Sequence, residues 1–315
     1  MNIPASWLRD RRFVVAIALL CCFLWGSAVP AVKHGYAVLG IAPSDTPSIM
    51  VFAGARFILA GVALLLFMAL RRQPLIQAPS QMSRLLLLGL VSTAAQYLFY
   101  YVGLAHSTGV KVSIVSATST FFSVLLAHWL FTDDKLTWQR SVGCLLGFSS
   151  VLIVNLASPV DASISFIGEG FILIAALLFS VGTLYGRRIS QRMDTGLMTG
   201  WQLLLGGLAL LAIGLATGGR ISITSPEAIA MLAYLAAISA LAFSLWGLLL
   251  KHNPVGVVAI FNCAIPIFGI ALSGVILGEN IVQWNNLVAL ALVTSGIWLV
   301  TTRRARVTNV AGLGG

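Results

Sequence analysis

Long apolar stretches alternate with short polar breaks along nearly the whole chain. Ten can be marked: 13–32, 47–70, 83–104, 110–131, 137–155, 168–186, 196–216, 226–250, 255–277 and 283–302. Each is about twenty residues, the length of a helix that crosses the hydrocarbon core of a bilayer. Only helices and closed barrels satisfy their backbone there, and these lengths suit helices. The pattern therefore predicts an all-α integral membrane fold of ten transmembrane helices. The breaks are too short for a soluble domain. A polar, proline-containing connection, 156–167, separates two sets of five, residues 13–155 and 168–302.

The stretch 85–131 shows how polarity is distributed inside the apolar runs. It opens Leu85-Leu86-Leu87-Leu88-Gly89-Leu90 and then takes in Thr93, Gln96, Tyr97 and Tyr100. These four fall at i, i+3, i+4 and i+7, one face of a regular helix. After a break at His106-Ser107-Thr108-Gly109, the next run carries Ser113, Ser116 and Thr120 on one face. Hydroxyls and amides are unfavourable against lipid, so both faces are expected to look into a shared cavity.

This stretch recurs. A shift of 146 residues carries Thr93 to Ser239, Tyr97 to Phe243, Tyr100 to Trp246, His106 to His252, Phe122 to Phe268 and Trp138 to Trp284. The same shift carries Arg56 to Gln202 and Ala60-Gly61 to Gly206-Gly207, without a gap from about Ser48 to Val154. That is the signature of an internal duplication. Five helices per copy is odd, so the second copy is expected upside down relative to the first. Two inverted-topology repeats are a common transporter architecture, with the site at their interface.

Composition agrees. The 315 residues are 59% hydrophobic and 9% charged, against about 25% charged in soluble domains. The net charge of +10 reflects cations at helix ends rather than a nucleic-acid surface. With the N-terminus inside, Arg9, Arg11, Arg12, Arg71, Arg72, Arg84, Lys135, Arg140, Arg187, Arg188, Arg192, Lys251, Arg303, Arg304 and Arg306 are cytoplasmic. Only Lys33, Lys111 and Arg220 are external, so both termini are expected in the cytoplasm. The cysteines Cys21, Cys22, Cys144 and Cys263 sit in apolar runs with no CxxC spacing and read as small hydrophobes. The pairs Gly143/Gly147, Gly182/Gly186, Gly196/Gly200 and Gly274/Gly278 suit close helix packing.

Candidate site residues follow from polarity and ring placement. Trp25-Gly26-Ser27, followed by Pro30, interrupts the first helix, and Phe179-Ser180-Val181-Gly182 stands in the matching place of the second half. Kinks at matching places point to moving parts. Lys33 and Arg187 close these two helices and read as interfacial groups. Arg56 is the one charge well inside a helix and could hold a substrate carboxylate by a bidentate pair. The expected cavity set is Trp25, Ser27, Arg56, Gln96, Tyr97, Tyr100, Ser116, Thr120, Phe179, Trp201, Gln202, Ser239, Phe243, Trp246, Asn262 and Pro266. Rings with a few amides and hydroxyls suit a planar or zwitterionic organic solute.

What is missing narrows the chemistry. No acidic residue lies mid-helix, so a proton- or sodium-coupling carboxylate is absent. There is no GxxxxGK[ST], and the four histidines have no metal spacing and no acid nearby in sequence. No catalytic residue, metal or cofactor is expected, and the chain is not expected to be an enzyme.

Leu24-Trp25-Gly26-Ser27, Thr120-Phe121-Phe122 leading to Asp133, and Ile265-Pro266-Ile267-Phe268 leading to Gly278-Glu279 together resemble the drug/metabolite transporter superfamily, in its EamA-type form. The resemblance spans about 13–302 and is strongest to the bacterial exporters of amino acids, aromatic ones included. Thr120 stands where the family usually has proline, and Asp133-Asp134 where it has Gly-Glu. The family implies efflux of amino acids and related metabolites across the bacterial inner membrane by alternating access. Its partners would be a small-molecule substrate and membrane lipid, with no nucleic acid and no need beyond a monomer. The alternatives are a nucleotide-sugar or organophosphate exchanger of the same superfamily, which would need several cations in the cavity, and a channel.

Overall fold

In the computed structural model, residues 7–107, 109–155, 165–277 and 284–302 are described. Outside that description lie 156–164, Gly278, Glu279, Arg303, Arg304 and Arg306, and the side chains of Lys33, Lys111, Ser113 and Gly274. The described residues are helical, with no strand among them. In chain order the helices are α1 (Arg11–Leu39), α2 (Thr46–Leu70), α3 (Pro79–Ala105), α4 (Gly109–Leu130), α5 (Trp138–Asn155), α6 (Phe166–Ser190), α7 (Thr195–Ala216), α8 (Pro226–His252), α9 (255–277) and α10 (Trp284–Thr302). Six of them, α1, α2, α3, α6, α7 and α8, are long and apolar enough to cross a membrane. Shorter apolar stretches lie at Val115–Leu130, Val255–Gly269 and Leu287–Thr301.

Polar residues at the helix starts are spent on capping. Asp10 accepts from the Arg12 and Phe13 amides, Asp45 from Ser48, Asp194 from Gly196 and Leu197, and Ser225 from Ala228. Each satisfies amides that a helix start leaves without a partner. Three of the chain's acids are thereby held at helix ends, away from any site in the interior.

The centre of the molecule is the antiparallel pair α2 and α7. A Cβ on Gly54 would sit 2.9 Å from the Gly207 carbonyl oxygen, and one on Gly61 would sit 2.7 Å from that of Gly200. Only glycine permits so close an approach of two backbones. Under the 146-residue shift, Gly54 corresponds to Gly200 and Gly61 to Gly207. Gly54 thus meets the equivalent of Gly61, and Gly61 meets the equivalent of Gly54, the reciprocal pattern of a two-fold axis. Helices α5 and α10 also pack together, through Gly143 and Gly296. Around these pairs, α1 crosses α8 and α9, while α6 crosses α3 and α4. Of the expected glycine pairs, Gly143, Gly147, Gly182, Gly196 and Gly200 make tight contacts, and Gly186 meets nothing nearer than 3.8 Å.

Two departures from regular helix matter. A π-turn at Leu90–Ala95 adds a residue to one turn of α3. It rotates the helix, so Thr93 faces Gly206 of α7 and does not share the face of Tyr97 and Tyr100. In α9, residues Ala259–Ala264 form a 3-10 turn. Pro266 has no N–H to give the Asn262 carbonyl, and the Ile265 amide takes that carbonyl instead.

Candidate functional site

Five of the expected residues, Trp25, Tyr97, Tyr100, Phe243 and Trp246, come together in one connected lattice of rings. Trp25 of α1 packs edge-on against Trp246, 5.1 Å between centroids, and against Phe243, 5.5 Å, both on α8. Phe243 continues to Phe57 of α2 at 6.3 Å, and Phe57 to Tyr97 of α3 at 4.7 Å. Tyr97 then meets Tyr100 and Tyr101. Such tilted and edge-on pairs are the favoured aromatic geometries.

Arg56 is set into this lattice. It is 5% exposed, its guanidinium lies 4.9 Å from the Phe57 ring centre, and its Nε donates to Ser239 Oγ at 2.8 Å. Ser239 Oγ in turn donates to the Leu235 carbonyl. The two Nη groups have no hydrogen-bond partner among the described residues. The fork keeps a little accessible area rather than being sealed, so it opens on space where an anion can pair with it. Arg56 belongs to the first half and Ser239 to the second, so the bond joins the halves.

A second group stands where α4 crosses α9. Thr120 donates to the Ala259 carbonyl at 3.4 Å and approaches Cys263 Sγ at 3.7 Å. Cys22 of α1 reaches the Phe261 carbonyl at 3.1 Å. Both carbonyls lie in the 3-10 turn, so side chains meet backbone oxygens where regular α-helical bonding is interrupted. Ser116 Oγ, one turn before Thr120, Asn262 Oδ1, the indole nitrogen of Trp246 and Thr93 Oγ1 are buried with no partner. Buried polar atoms are ordinarily paired, so these four mark where a ligand or water belongs.

The remaining expected residues are placed as follows. Ser27 is buried, donates to the Leu24 carbonyl and accepts from the Tyr234 hydroxyl at 3.2 Å. Gln96 is half-buried beside Tyr97 at the end of the π-turn, and Pro266 is half-buried at the end of the 3-10 turn. Phe179 is half-buried and has no ring contact among the described residues; its neighbour Ser180 bonds Ser123 of α4 at 3.1 Å. Gln202 is buried on the face of α7 that Gly89 approaches. Trp201 is not brought to the lattice. Its indole N–H donates to the Leu75 carbonyl at 3.1 Å, and its ring packs beside Met193, because it projects from a different face of α7 than Gln202. The faces of α3 and α4 do not pair directly either: α6 packs on both, and Tyr97 turns to Phe57 of α2.

Residues outside the expected set complete the picture. Tyr101 and Phe57 extend the ring lattice, and each follows an expected residue in sequence. Arg187 is 8% exposed and is not a snorkelling interfacial group. It pairs with Asp133 at 2.6 Å and stacks on Phe131 at 4.4 Å. Asp134, fully buried, pairs with Arg140 at 2.6 Å, lies 3.7 Å from Arg187 and accepts from the Gly256 amide at the start of α9. This network ties the 131–137 connection of the first half to α6 and α9 of the second. Burial raises the Asp133 pKa, but the hydrogen bond and charge of Arg187, with Arg140 adding, outweigh it and hold it below the ordinary value. His34 has an acidic partner far away in sequence, Glu227 at 2.8 Å.

A family model described as the EamA-like transporter family matches residues 12–156 and 166–302. An "Uncharacterized transporter YvbV" of Bacillus subtilis is 28% identical, covering 91% of this chain and 92% of its own. Proteins of Salmonella typhimurium and Escherichia coli, each named "Probable amino-acid metabolite efflux pump", are 26% and 24% identical. They cover 90% and 88% of this chain and 93% and 91% of theirs. A protein of known crystal structure superimposes with a TM-score of 0.79 over 93% of this chain and 98% of its own, at 18% identity, and so shares the fold.

Proposed function

The chain belongs to the EamA-like transporter family, and we propose that it exports amino acids, aromatic ones included, by alternating access. It is an integral multi-pass membrane protein, and the inner membrane with both termini in the cytoplasm is the placement the loop cations favour. The reading includes ten crossings arranged as two inverted repeats, 13–155 and 168–302. The antiparallel, reciprocal contact of α2 with α7 supports that arrangement.

The observation that carries the substrate class is Arg56 with its free fork inside the ring lattice. The fork matches a carboxylate. The faces and edges of Trp25, Tyr97, Phe243 and Trp246 surround it with apolar area suited to a side chain. The unpaired oxygens of Ser116 and Asn262 are acceptors suited to an ammonium group. A phosphate ester would ask for more cations, and Arg56 is the single cation in the lattice among the described residues. The exchanger reading is therefore second.

Proteoliposomes loaded with labelled phenylalanine or tryptophan test this. Export should saturate, and Arg56→Gln should lower it at least tenfold while the protein still folds, because the substrate carboxylate loses its partner. Cysteines at Tyr97, Tyr100, Trp246 and Asn262 should react with small polar thiol reagents and be protected by substrate. Unchanged export by Arg56→Gln, or no labelling at all four positions, would sink the reading.

A further inference from the structure

A concave space of about 750 Å³ opens at the end of the bundle that holds the 131–137, 190–195 and 252–255 connections. Six guanidinium or ammonium groups line it: Arg9, Arg84, Arg187, Arg188, Arg192 and Lys251. They face one carboxylate, Asp133, which is already committed to Arg187. Of the others, Arg84 bonds the neutral Gln81, Arg188 the Leu130 carbonyl and Lys251 the Met193 carbonyl. Arg9 and Arg192 have no partner among the described residues. The charges come from the N-terminal turn, α3, α6, the α6–α7 connection and α8.

The positive-inside tendency places cations in loops, but it does not require them to converge on one hollow. A space of this volume is on the order of 10 Å across, comparable with the Debye length at physiological ionic strength, so the charges act on one another and on any ion within. Like charges held this close repel, and low-dielectric walls concentrate their field. Asp133 and the buried Asp134 both act on Arg187 and leave the charges of the other five unmet. A multiply charged anion would meet them, and guanidinium forks match phosphate oxygens. We propose that this vestibule is a binding site for a phosphate-bearing anion, held by Arg84, Arg192 and Lys251 and separate from the ring lattice. The anion could come from a phospholipid headgroup or from a soluble phosphate compound, and both present the same chemistry.

The test uses the full chain in phosphatidylcholine nanodiscs, and does not depend on transport. One arm titrates inorganic pyrophosphate by calorimetry. The other replaces part of the lipid with cardiolipin and counts retained cardiolipin by native mass spectrometry. One anion bound per chain is expected in at least one arm, with about a tenfold loss of affinity for each arginine neutralised in R84Q/R192Q. R71Q/R72Q, at the same end but outside the vestibule, should bind as the unaltered protein does. If the double variant fails to fold, R192Q alone carries the same comparison. Binding in the lipid arm only assigns the site to a headgroup, and in the pyrophosphate arm only to a soluble ligand. No binding in either arm, or equal losses in R84Q/R192Q and R71Q/R72Q, would overturn the proposal.

Discussion

Asp133 and Asp134 are adjacent, and each makes a 2.6 Å ion pair with an arginine. Judged by distance, their loss should cost the same. Judged by surroundings, it should not. The Asp133 side chain is 62% exposed, and its pair with Arg187 is screened by water. Exposed pairs contribute about 1 kcal/mol or less. The Asp134 side chain is fully buried, Arg140 is 11% exposed, and the Gly256 amide depends on the same carboxylate. Removing one charge of a buried pair costs about 3–5 kcal/mol, because the other charge stays buried. Arg140 keeps its bond to the Lys135 carbonyl, which places Asp134→Asn near the lower figure, about 3 kcal/mol. At about 2–4 °C per kcal/mol, D134N should lower Tm by about 6–12 °C and D133N by about 2–4 °C or less. Tryptophan fluorescence during heating in one detergent measures both. A double cycle of D134N with R140Q should show coupling of about 1 kcal/mol or more. Equal shifts for D133N and D134N, or additive losses in the cycle, would refute the burial argument.

The stability difference between the unaltered protein and D133N should also depend on pH. The Asp133 pKa is lowered in the folded chain, so its contribution is present above the ordinary aspartate pKa, near 4, and is lost as pH falls through the folded value. Melting curves should therefore show a constant gap from pH 8 to about 5, closing only in stronger acid. Gly61→Ala should separate α2 from α7 and cost about 1–3 kcal/mol, whereas Gly186→Ala, with space around it, should be neutral or slightly stabilising; paired thermal melts distinguish them. Export should need no proton or sodium gradient. The ring lattice contains no carboxylate among the described residues, and the carbonyls of Ala259 and Phe261 are taken by Thr120 and Cys22. Accumulation of amino acid against its own gradient, abolished by an uncoupler, would contradict this.

Much of this was legible in the sequence because lipid imposes simple rules. Apolar length announced an all-helical membrane fold, and six of its helices are long and apolar enough to cross a membrane. Tyr97, Phe243 and Trp246 could be grouped from the sequence because they recur on one helical face at the 146-residue offset, a pattern that gap-filling between helices also produces. Thr93 was misplaced because the π-turn at Leu90–Ala95 alters the helical period, and nothing in Leu90-Val91-Ser92 announces it. Trp201 was misplaced because a single tryptophan on a glycine-rich helix carries no facing information. The Asp134–Arg140–Arg187 network was missed because its partners lie in separate loops and helix ends. The contact of Gly54 and Gly61 with Gly207 and Gly200 could have been read. Gly54 and Gly61 stand seven residues apart, two helical turns, and the 146-residue offset carries them to Gly200 and Gly207, a wider spacing than the GxxxG pairs.

The contact of α2 with α7 is reciprocal, but the ring lattice is not. Arg56 corresponds to Gln202, Ser239 to Thr93, Tyr100 to Trp246 and Thr120 to Pro266. A second lattice related by the axis therefore lacks its cation. If the halves exchange conformations, a ligand carboxylate has one partner in both states, so the part of the frame that holds Arg56 must stay still. The packing agrees. Contacts of α2 with α7 run backbone to backbone along the helices, where glycines leave no side chain to slide over its neighbour. The crossings of α1 on α9 and α6 on α4 are different. The first is made by the Phe23–Phe268 ring pair and by the Cys22 thiol on the Phe261 carbonyl, beside Gly26 against Phe268, and the second by the Ser123–Ser180 bond and the Ser180 hydroxyl on the Ser119 carbonyl. These are matched contacts of the two halves, made by the helices that carry Trp25 and Thr120, and they run largely through side chains, which can re-pack when the helices rotate. Spin labels at the ends of α2 and α7 should then keep their separation when substrate is added, while labels on α1 and α9 should change theirs by several ångströms, as in rigid-body exchange about a fixed site. A substrate-dependent change across α2 and α7, with none across α1 and α9, would show that the axis itself moves and that Arg56 is not a fixed anchor.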